Sequence, residues 1–537
     1  MSTWNDAIRR LVTSGVPLAA AWYEREFERR IDTFRDQQRA LRTRYAVTAD
    51  TPIRGYDAET RKAVLAYAES RTDVRLAKTS GSTSEPKLLA YPPERLVSFK
   101  SDSRSIGVRA WKHFQIRQPA IFVLSSLAND DSFTSLAVFQ PKLPDRITGI
   151  LEPARYLFQP ALRRAISHYG PTAVRFWLMV LSNPGLLYST NPSTLAVFLS
   201  EVHEDWQRST SMIRDWTAGK RDPETQDLAL RVVSAGFDTR MKAIAASSTA
   251  LPFSEALPGV TAYCCWNGGY VVSFLRQIQR WLPPDRYIHI PMYAMSTETI
   301  QTLTWFGPTG EMRFLPMGPG VLYEFLPEDA EDRPEHLLEP HQLEVGHRYA
   351  MVVSDPYGLK RYQTEDLFEC RGFVRGLPDL HFSRRRGLTW SFTGEKLTGE
   401  QLSEAYAVLE DEIPHLRAIA AQMTTLPTWP KGAEVPGYRL VIGHPGDHLY
   451  PPLDAKELEW RFDRALAKVN TEYAAKRETG RLAEPVVVIL PYNRLAEGLD
   501  SASAAENRSW ESQFKLAPLT RRVWEETRLG EVVHQKS

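Results

Sequence analysis

Between Gly259 and Glu324 the chain changes its periodicity, and this limits the available folds more than any other feature. Upstream, residues 1–45 read as a helix with Trp22, Phe27, Ile31 and Phe34 along its apolar stripe. Residues 155–218 also read as mostly helical, with Ser193 in a capping pattern and Gly219 as a terminator. From Gly259 onward, short apolar runs punctuated by glycine ("VTAYCCW", "RYIHIPMYAM", "IQTLTWF", "GVLYEFL") read as strands, and "RYAMVVSD", "DLFECRGFV" and "LTWSF" continue them. The fold class expected is mixed α/β. At 537 residues the chain needs two or more lobes. The pattern changes again near Thr393-Gly394, where helices over 400–421 and 455–479 and strands "YRLVIG" and "PVVVILP" predict a small α+β lobe. The expected division is a large lobe over 1–393 and a small lobe over 394–537, joined by a hinge near "TGEK".

The charge balance, 66 Lys+Arg against 65 Asp+Glu, provides no global field for nucleic acid or a membrane surface. Three cysteines, two of them adjacent (Cys264 and Cys265), make neither a disulfide framework nor a zinc spacing, so a reducing, cytoplasmic setting is expected. Runs such as "FWLMVL" fall far short of the ~20 residues of a membrane span. Arg9-Arg10 precede the apolar "LVTSGVPLAAAWY" in the manner of a signal peptide, but Thr13-Ser14 and the charged "EREFERR" oppose export. A monomer or weak dimer is expected.

The segment "TSGSTSEPK" (Thr79–Lys87) gathers five hydroxyls, one glycine and a terminal cation between two strand candidates, "DVRLAK" and "KLLAY". A Walker loop needs a second glycine where Pro86 stands, and a helix after it. What the residues allow is either a polar turn or a loop that wraps phosphate oxygens with backbone N–H groups, hydroxyls and Lys87.

This loop resembles the signature loop of the acyl-adenylate-forming superfamily, differing at Ser84, where the superfamily has glycine. "MYAMSTE" (Met292–Glu298), "YGLKRYQTED" (Tyr357–Asp366), "FSRRRG", "TGEKLTGEQL", "NPSTLAVFLSEVHEDW" and "ESQFKLAP" resemble, in order, blocks of the acyl acid amido synthetases of the Gretchen Hagen type within it. The resemblance implies a large adenylate-forming lobe of sheets, barrel and helices and a mobile C-terminal lobe. It implies ATP and Mg²⁺ as cofactors, and a small carboxylic acid and an amine or amino acid as substrates. By the same resemblance Thr79, Ser80, Gly81, Ser82, Thr83 and Lys87 would clasp the triphosphate, with Thr297 on the α-phosphate and Glu298 on Mg²⁺. Tyr293 would face the adenine, and Asp366 and Arg385 would hold ribose or phosphate. Lys515 would bridge carboxylate and α-phosphate. The family's glycine before Asp366 is here Glu365. Arg384 and Arg386, flanking Arg385 on a predicted strand, are expected to face solvent.

Plainer roles are expected elsewhere. Trp266 either walls an acyl pocket or packs in the core, and Cys264 and Cys265 behave as small apolar residues. His203 does not share its helical face with Glu204 or Asp205, which disfavours a metal site. No G-x-S-x-G or HExxH occurs, which weighs against hydrolases and zincins. The leading expectation is an ATP-dependent acid–amine ligase. A thioester ligase using coenzyme A or a carrier protein, and a non-catalytic nucleotide-binding relative, are the alternatives.

Overall fold

The computed structural model describes residues 2–78, 87–116, 118–125, 144–267, 272–292, 296–386, 389–418, 422–430, 433–444, 453–491 and 518–519. Helix α1 (Ser2–Arg44) buries Ala20, Phe27, Ile31 and Phe34. Trp22, expected on that stripe, is 62% exposed. It stands five residues before Phe27, about 140° around the helix, and so points away from the core. Helix α2 (Ala58–Glu69) is capped by Asp57, whose side chain accepts from the Thr60 N–H.

Strands β1 (Arg75–Lys78) and β2 (Leu88–Tyr91) form an antiparallel ribbon on either side of the hydroxyl-rich segment, and α3 (Pro93–His113) follows directly. The expected strand–loop–strand flanks are therefore present. A parallel sheet then forms from β3 (Ile121–Val123), β4 (Leu186–Tyr188), β5 (Ala262–Trp266) and β6 (Ile288–Met292), in that order. Among the described residues, helices make up most of the chain over 146–182 and 192–256, on either side of β4. The helix Pro171–Ser182 carries the "FWLMVL" run and is apolar on all sides because it is buried on all sides. Asn191, not Ser193, caps the next helix, Pro192–Glu204: its side chain accepts from the Ser193 N–H, and Ser193 itself lies inside the first turn.

The ribbon β7 (Leu303–Phe306)–β8 (Met312–Leu315) leads to an antiparallel sheet. That sheet has the order β12 (Leu377–Arg385), β11 (Tyr362–Val374), β10 (Arg348–Ser354), β9 (Leu322–Pro327). Asp379 on β12 accepts the Phe314 N–H at 2.8 Å and so ties the ribbon to the sheet, in the region where a barrel was expected. The pairing of β10 with β11 jumps from Ala350↔Leu367 to Val352↔Gln363, so Thr364, Glu365 and Asp366 form a bulge. Bulges re-aim side chains beside functional sites.

After the short ribbon β13 (Thr389–Trp390)–β14 (Leu397–Thr398), a separate core forms around Leu402, Tyr406, Leu440, Phe462 and Tyr473. Its sheet joins β15 (Gln422–Thr428), β16 (Gly437–His444) and β17 (Val486–Pro491). The helix expected over 455–479 is two helices, Ala455–Val469 and Thr471–Glu478. Asn470 separates them, accepting the Tyr473 N–H and donating to the Glu395 carbonyl, each near 2.9 Å. The one expected over 400–421 likewise ends at Glu412, just before Pro414. Among the described residues no helix is long and apolar enough to cross a membrane.

Candidate active site

The site is built where three pieces of chain meet: the end of the hydroxyl-rich segment, the turn after β6, and the start of β11. In parallel sheets the ligand crevice lies beyond the carboxyl ends of the strands, which is where the turn Ser296–Glu298 stands. Lys87 places its ammonium 2.8 Å from the Tyr362 hydroxyl and 3.4 Å from Glu298 Oε1. The Tyr362 hydroxyl also donates to Glu298 Oε1 at 3.5 Å. All three side chains are largely buried, with Tyr362 completely so. A cation, a phenol and a carboxylate thus share one dry corner, where electrostatic interactions are stronger than in water.

The backbone under this corner is held from several sides. Tyr56 accepts the Leu88 N–H at 2.8 Å and donates to the Leu88 carbonyl at 2.5 Å, fixing the chain just after Lys87. Tyr91 donates to the Thr297 carbonyl at 2.6 Å, and burial pushes its phenol up to about 12, so it acts as a neutral donor. Arg95 donates to the Glu298 carbonyl at 2.6 Å and to the Ala90 carbonyl at 2.7 Å. Its guanidinium lies against the rings of Tyr91 and Tyr357, 4.3 and 4.8 Å from their centroids. Behind it, burial raises the Asp355 carboxyl above the usual carboxylate range, opposed by the facing Arg95 at 3.6 Å.

Asp366 projects from the bulge and is 7% exposed; its Oδ2 accepts the Gln301 amide at 2.5 Å. A carboxylate has about four acceptor positions, and the Gln301 amide takes one of them. Glu365 turns outward: its backbone takes φ +65° and its side chain is exposed, so it does not crowd Asp366. The left-handed conformation explains why glycine suits this position. Ser296 Oγ, Gln301 Oε1 and Thr302 Oγ1, all buried, have no hydrogen-bond partner among the described residues. Of these three, Ser296 lines a cleft together with Thr299, Tyr91 and Arg95.

Of the residues expected here, Lys87 and Glu298 are brought together, Thr297 adjoins Glu298 in the same turn, and Asp366 is held by Gln301, three residues after Glu298. Arg385 pairs in register with Asp366 across β11 and β12. Its side chain, and Thr79, Ser80, Gly81, Ser82, Thr83, Tyr293 and Lys515, lie outside the described residues. Arg384 and Arg386 are not solvent-facing: Arg384 pairs with Glu328, and Arg386 with Asp332 at 2.5 Å and the Ala330 carbonyl at 3.1 Å. Carboxylates on the β9–β10 connection draw both guanidinium groups back onto the sheet.

The remaining expectations resolve simply. Trp266 packs at 5.5 Å on Phe382. Cys264 and Cys265 are buried core residues, and burial pushes the Cys264 thiol up to about 12, which removes nucleophilic character. His203 stacks on Trp281 at 3.9 Å, and burial lowers its pKa to about 4. Sequence reasoning missed Tyr56, Tyr91, Arg95 and Gln301, and assigned no role to Tyr362. Their common signal, a polar group next to each quoted motif, is too frequent in sequences to stand out.

Residues 314–385, from β8 through β12, match the model of the GH3 family central domain. A probable indole-3-acetic acid-amido synthetase GH3.1 of Oryza sativa subsp. japonica is 24% identical over 347 residues, which is 58% of this chain and 53% of that protein. The indole-3-acetic acid-amido synthetase GH3.2 of Arabidopsis thaliana is 24% identical over 232 residues, 37% of this chain and 41% of the relative. The match thus spans about half the length of these curated relatives or less. The solved structure of the AtGH3.15 acyl acid amido synthetase in complex with 2,4-DB superposes with a TM-score of 0.65 at 12% identity, covering 97% of this chain and 96% of that one. A second GH3.15 acyl acid amido synthetase structure gives a TM-score of 0.66 at 14% identity, covering 89% and 87%. Residues 314–385 are therefore similar to the GH3 family central domain, and the chain has the fold of a GH3 acyl acid amido synthetase.

Proposed function

We propose that the protein is an ATP-dependent ligase that adenylates a small carboxylic acid and passes the acyl group to an amine, an amino acid being the expected acceptor. The observation that carries this reading is the meeting of Lys87, Tyr362 and Glu298 in one buried corner, with Asp366 oriented by Gln301 beside it. The names of the relatives, amido synthetases for indole-3-acetic acid, support the same chemistry.

In the first step a carboxylate oxygen forms a bond to the α-phosphorus and the bond to pyrophosphate breaks. In the second the amine nitrogen bonds to the acyl carbon, AMP departs with the bonding electrons, and the nitrogen loses a proton. Lys87 supplies positive charge to phosphate oxygens, and Tyr362 keeps that ammonium in place. Arg95 and Tyr91 hold the backbone of Thr297 and Glu298, so the corner is ordered before substrate arrives. Asp366 accepts ribose hydroxyls, with Arg385 next to it on β12. Lys515 reaches the α-phosphate from the 394–537 lobe, which moves on the hinge between the two steps. Among the described residues no three His, Cys, Asp or Glu side chains group as a metal site. Glu298 alone suits Mg²⁺ arriving on ATP, an ion that keeps waters and phosphate oxygens as ligands. When bound it supplies charge neutralisation on the phosphates.

The test is carboxylate-dependent pyrophosphate release from ATP, followed by AMP formation that requires an amino acid. AMP formation that requires coenzyme A and ignores amines would make the protein a thioester ligase. Absence of pyrophosphate release with every acid would leave a nucleotide-binding relative.

A further inference from the structure

A cavity runs between α3 and the parallel sheet, sharing Phe99 and Ile300 with the cleft that contains Ser296 and Thr299. Its wall is apolar almost throughout, with Ile106 and Ala110 of α3 facing Leu186, Cys264, Ile290 and Met292 of the sheet. Tyr188, also in the wall, spends its hydroxyl on Met292 Sδ at 3.3 Å. Among the described lining residues Asp102 is the only charged one.

Asp102 is more than nine-tenths buried. Its Oδ1 accepts Arg30 Nη1 from α1 at 2.9 Å, which ties the two helices together. Its Oδ2, also buried, has no hydrogen-bond partner among the described residues. A carboxylate whose only task was to join α1 to α3 would be expected to satisfy both oxygens, because an unpaired buried acceptor is costly. Arg30 already balances the charge, so a second cation in this apolar wall would be desolvated without a counter-charge. The partner that fits Oδ2 is a neutral hydrogen-bond donor.

We propose that this cavity receives the body of the acid, and that Asp102 selects acids whose apolar body carries a neutral hydrogen-bond donor, a hydroxyl or a ring N–H, away from the carboxylate. This rests on the ligase reading above. Asp102 is a specificity-determining residue here and takes no part in the bond changes. A site built around a hydrogen bond rejects an analogue lacking the donor far more strongly than an apolar pocket rejects a missing methylene.

Asp102→Asn gives the sharpest test. Arg30 can only donate, so the amide oxygen must face it and the amide N–H₂ must take the place of Oδ2. The preference should then reverse, from donor-bearing to acceptor-bearing acids. Hexanoate, 5-hydroxyhexanoate and 5-oxohexanoate would be compared, along with 3-phenylpropanoate and its 4-hydroxyl derivative. The readouts are pyrophosphate release and thermal-shift binding of each acid alone. For the wild-type protein, kcat/KM is expected to favour the hydroxylated acid over its unsubstituted parent by about tenfold or more. In Asp102→Asn that ratio should collapse and the keto acid should overtake the hydroxy acid. Within each protein, binding of the acids alone should follow that protein's kinetic order, hydroxy acid first in wild type and keto acid first in Asp102→Asn, which keeps the test open should the variant be destabilised. Pyrophosphate release that is indifferent to the hydroxyl in wild type, or an unchanged order in Asp102→Asn, overturns the assignment while leaving the ligase reading intact. No release with any acid overturns the ligase reading and this inference with it.

Discussion

Two charged clusters sit on the neighbouring residues Arg361 and Tyr362, and they are built on opposite principles. Arg361 meets Glu324 through two contacts of 2.9 Å, with both side chains 3% exposed. It also donates to the carbonyls of Ala49 and Thr51, and Glu324 takes a further arginine, Arg42, at 2.9 Å. Every short contact there joins one stretch of chain to another. One residue on, Lys87 lies 2.8 Å from the Tyr362 hydroxyl, and Glu298 Oε1 lies 3.4 and 3.5 Å from Lys87 and Tyr362. The first cluster is saturated by the protein itself. In the second, the contacts of Glu298 Oε1 with Lys87 and Tyr362 are long, and in the proposed reading phosphate oxygens and their cation meet these groups. Both clusters bury a carboxylate against a cation, but the guanidinium of the first also holds two backbone carbonyls and so ties separate stretches of chain together.

The largest expected effect lies on the saturated side. Arg361→Ala strands the Glu324 carboxylate in the core with only Arg42 left, and should cost about 3–5 kcal/mol, read as a fall in the urea midpoint. Replacing both partners by apolar residues, Arg361→Met with Glu324→Leu, should recover most of that loss, because the two desolvation penalties disappear together. A single mutant within about 1 kcal/mol of wild type would show the pair to be dispensable and remove the contrast.

On the loose side the effects should fall on rate, not on stability. Glu298→Gln keeps the shape of the corner but removes its charge. Pyrophosphate release should drop by roughly 10²–10³, with the urea midpoint nearly unchanged. Tyr362→Phe tests the same corner more gently. Losing one hydroxyl contact to a charged group is worth about 1.5–3 kcal/mol, so a rate loss of about tenfold to a hundredfold is expected. If either substitution lowered stability as far as Arg361→Ala does, the second cluster would be a strut as well.

This contrast also shows what the sequence could and could not disclose. The block "YGLKRYQTED" was legible as one unit, yet its letters do different jobs. Gly358 allows backbone to approach Val64 at φ +110°, Arg361 is architecture, Tyr362 faces the site and Asp366 projects into it. Which arginine is a strut depends on a carboxylate 37 positions earlier, and no local pattern encodes that pairing. The same limit applies to Arg384 and Arg386, where strand alternation predicted solvent and distant carboxylates decided otherwise. The quoted strand candidates and the long helices rest on local periodicity, whereas β4 within 155–218 and the helix Val272–Trp281 within the strand-rich stretch were missed. The splits at Asn470 and Pro414 were readable in principle, since a capping residue and a proline mark them.

Glu365 gives the smallest effect and places a limit on the bulge that presents Asp366. Its φ of +65° costs an L-residue about 1–2 kcal/mol relative to glycine. Glycine gives part of that back through its greater unfolded-chain entropy. Glu365→Gly should therefore stabilise the fold by about 0.5–1 kcal/mol, and because the side chain points outward, pyrophosphate release should hardly change. A β-branched residue at the same position should do the reverse: Glu365→Val would push the backbone toward negative φ, pull the bulge straight and turn Asp366 away from Gln301. Its signature would be a raised KM for ATP with kcat for bound substrates less affected, since in the function proposed above Asp366 positions the nucleotide and does not take part in the bond changes. Equal behaviour of the glycine and valine variants would mean that the bulge is held by its neighbours, chiefly the 2.5 Å bond from the Arg386 N–H to the Glu365 carbonyl, and not by the conformation of residue 365.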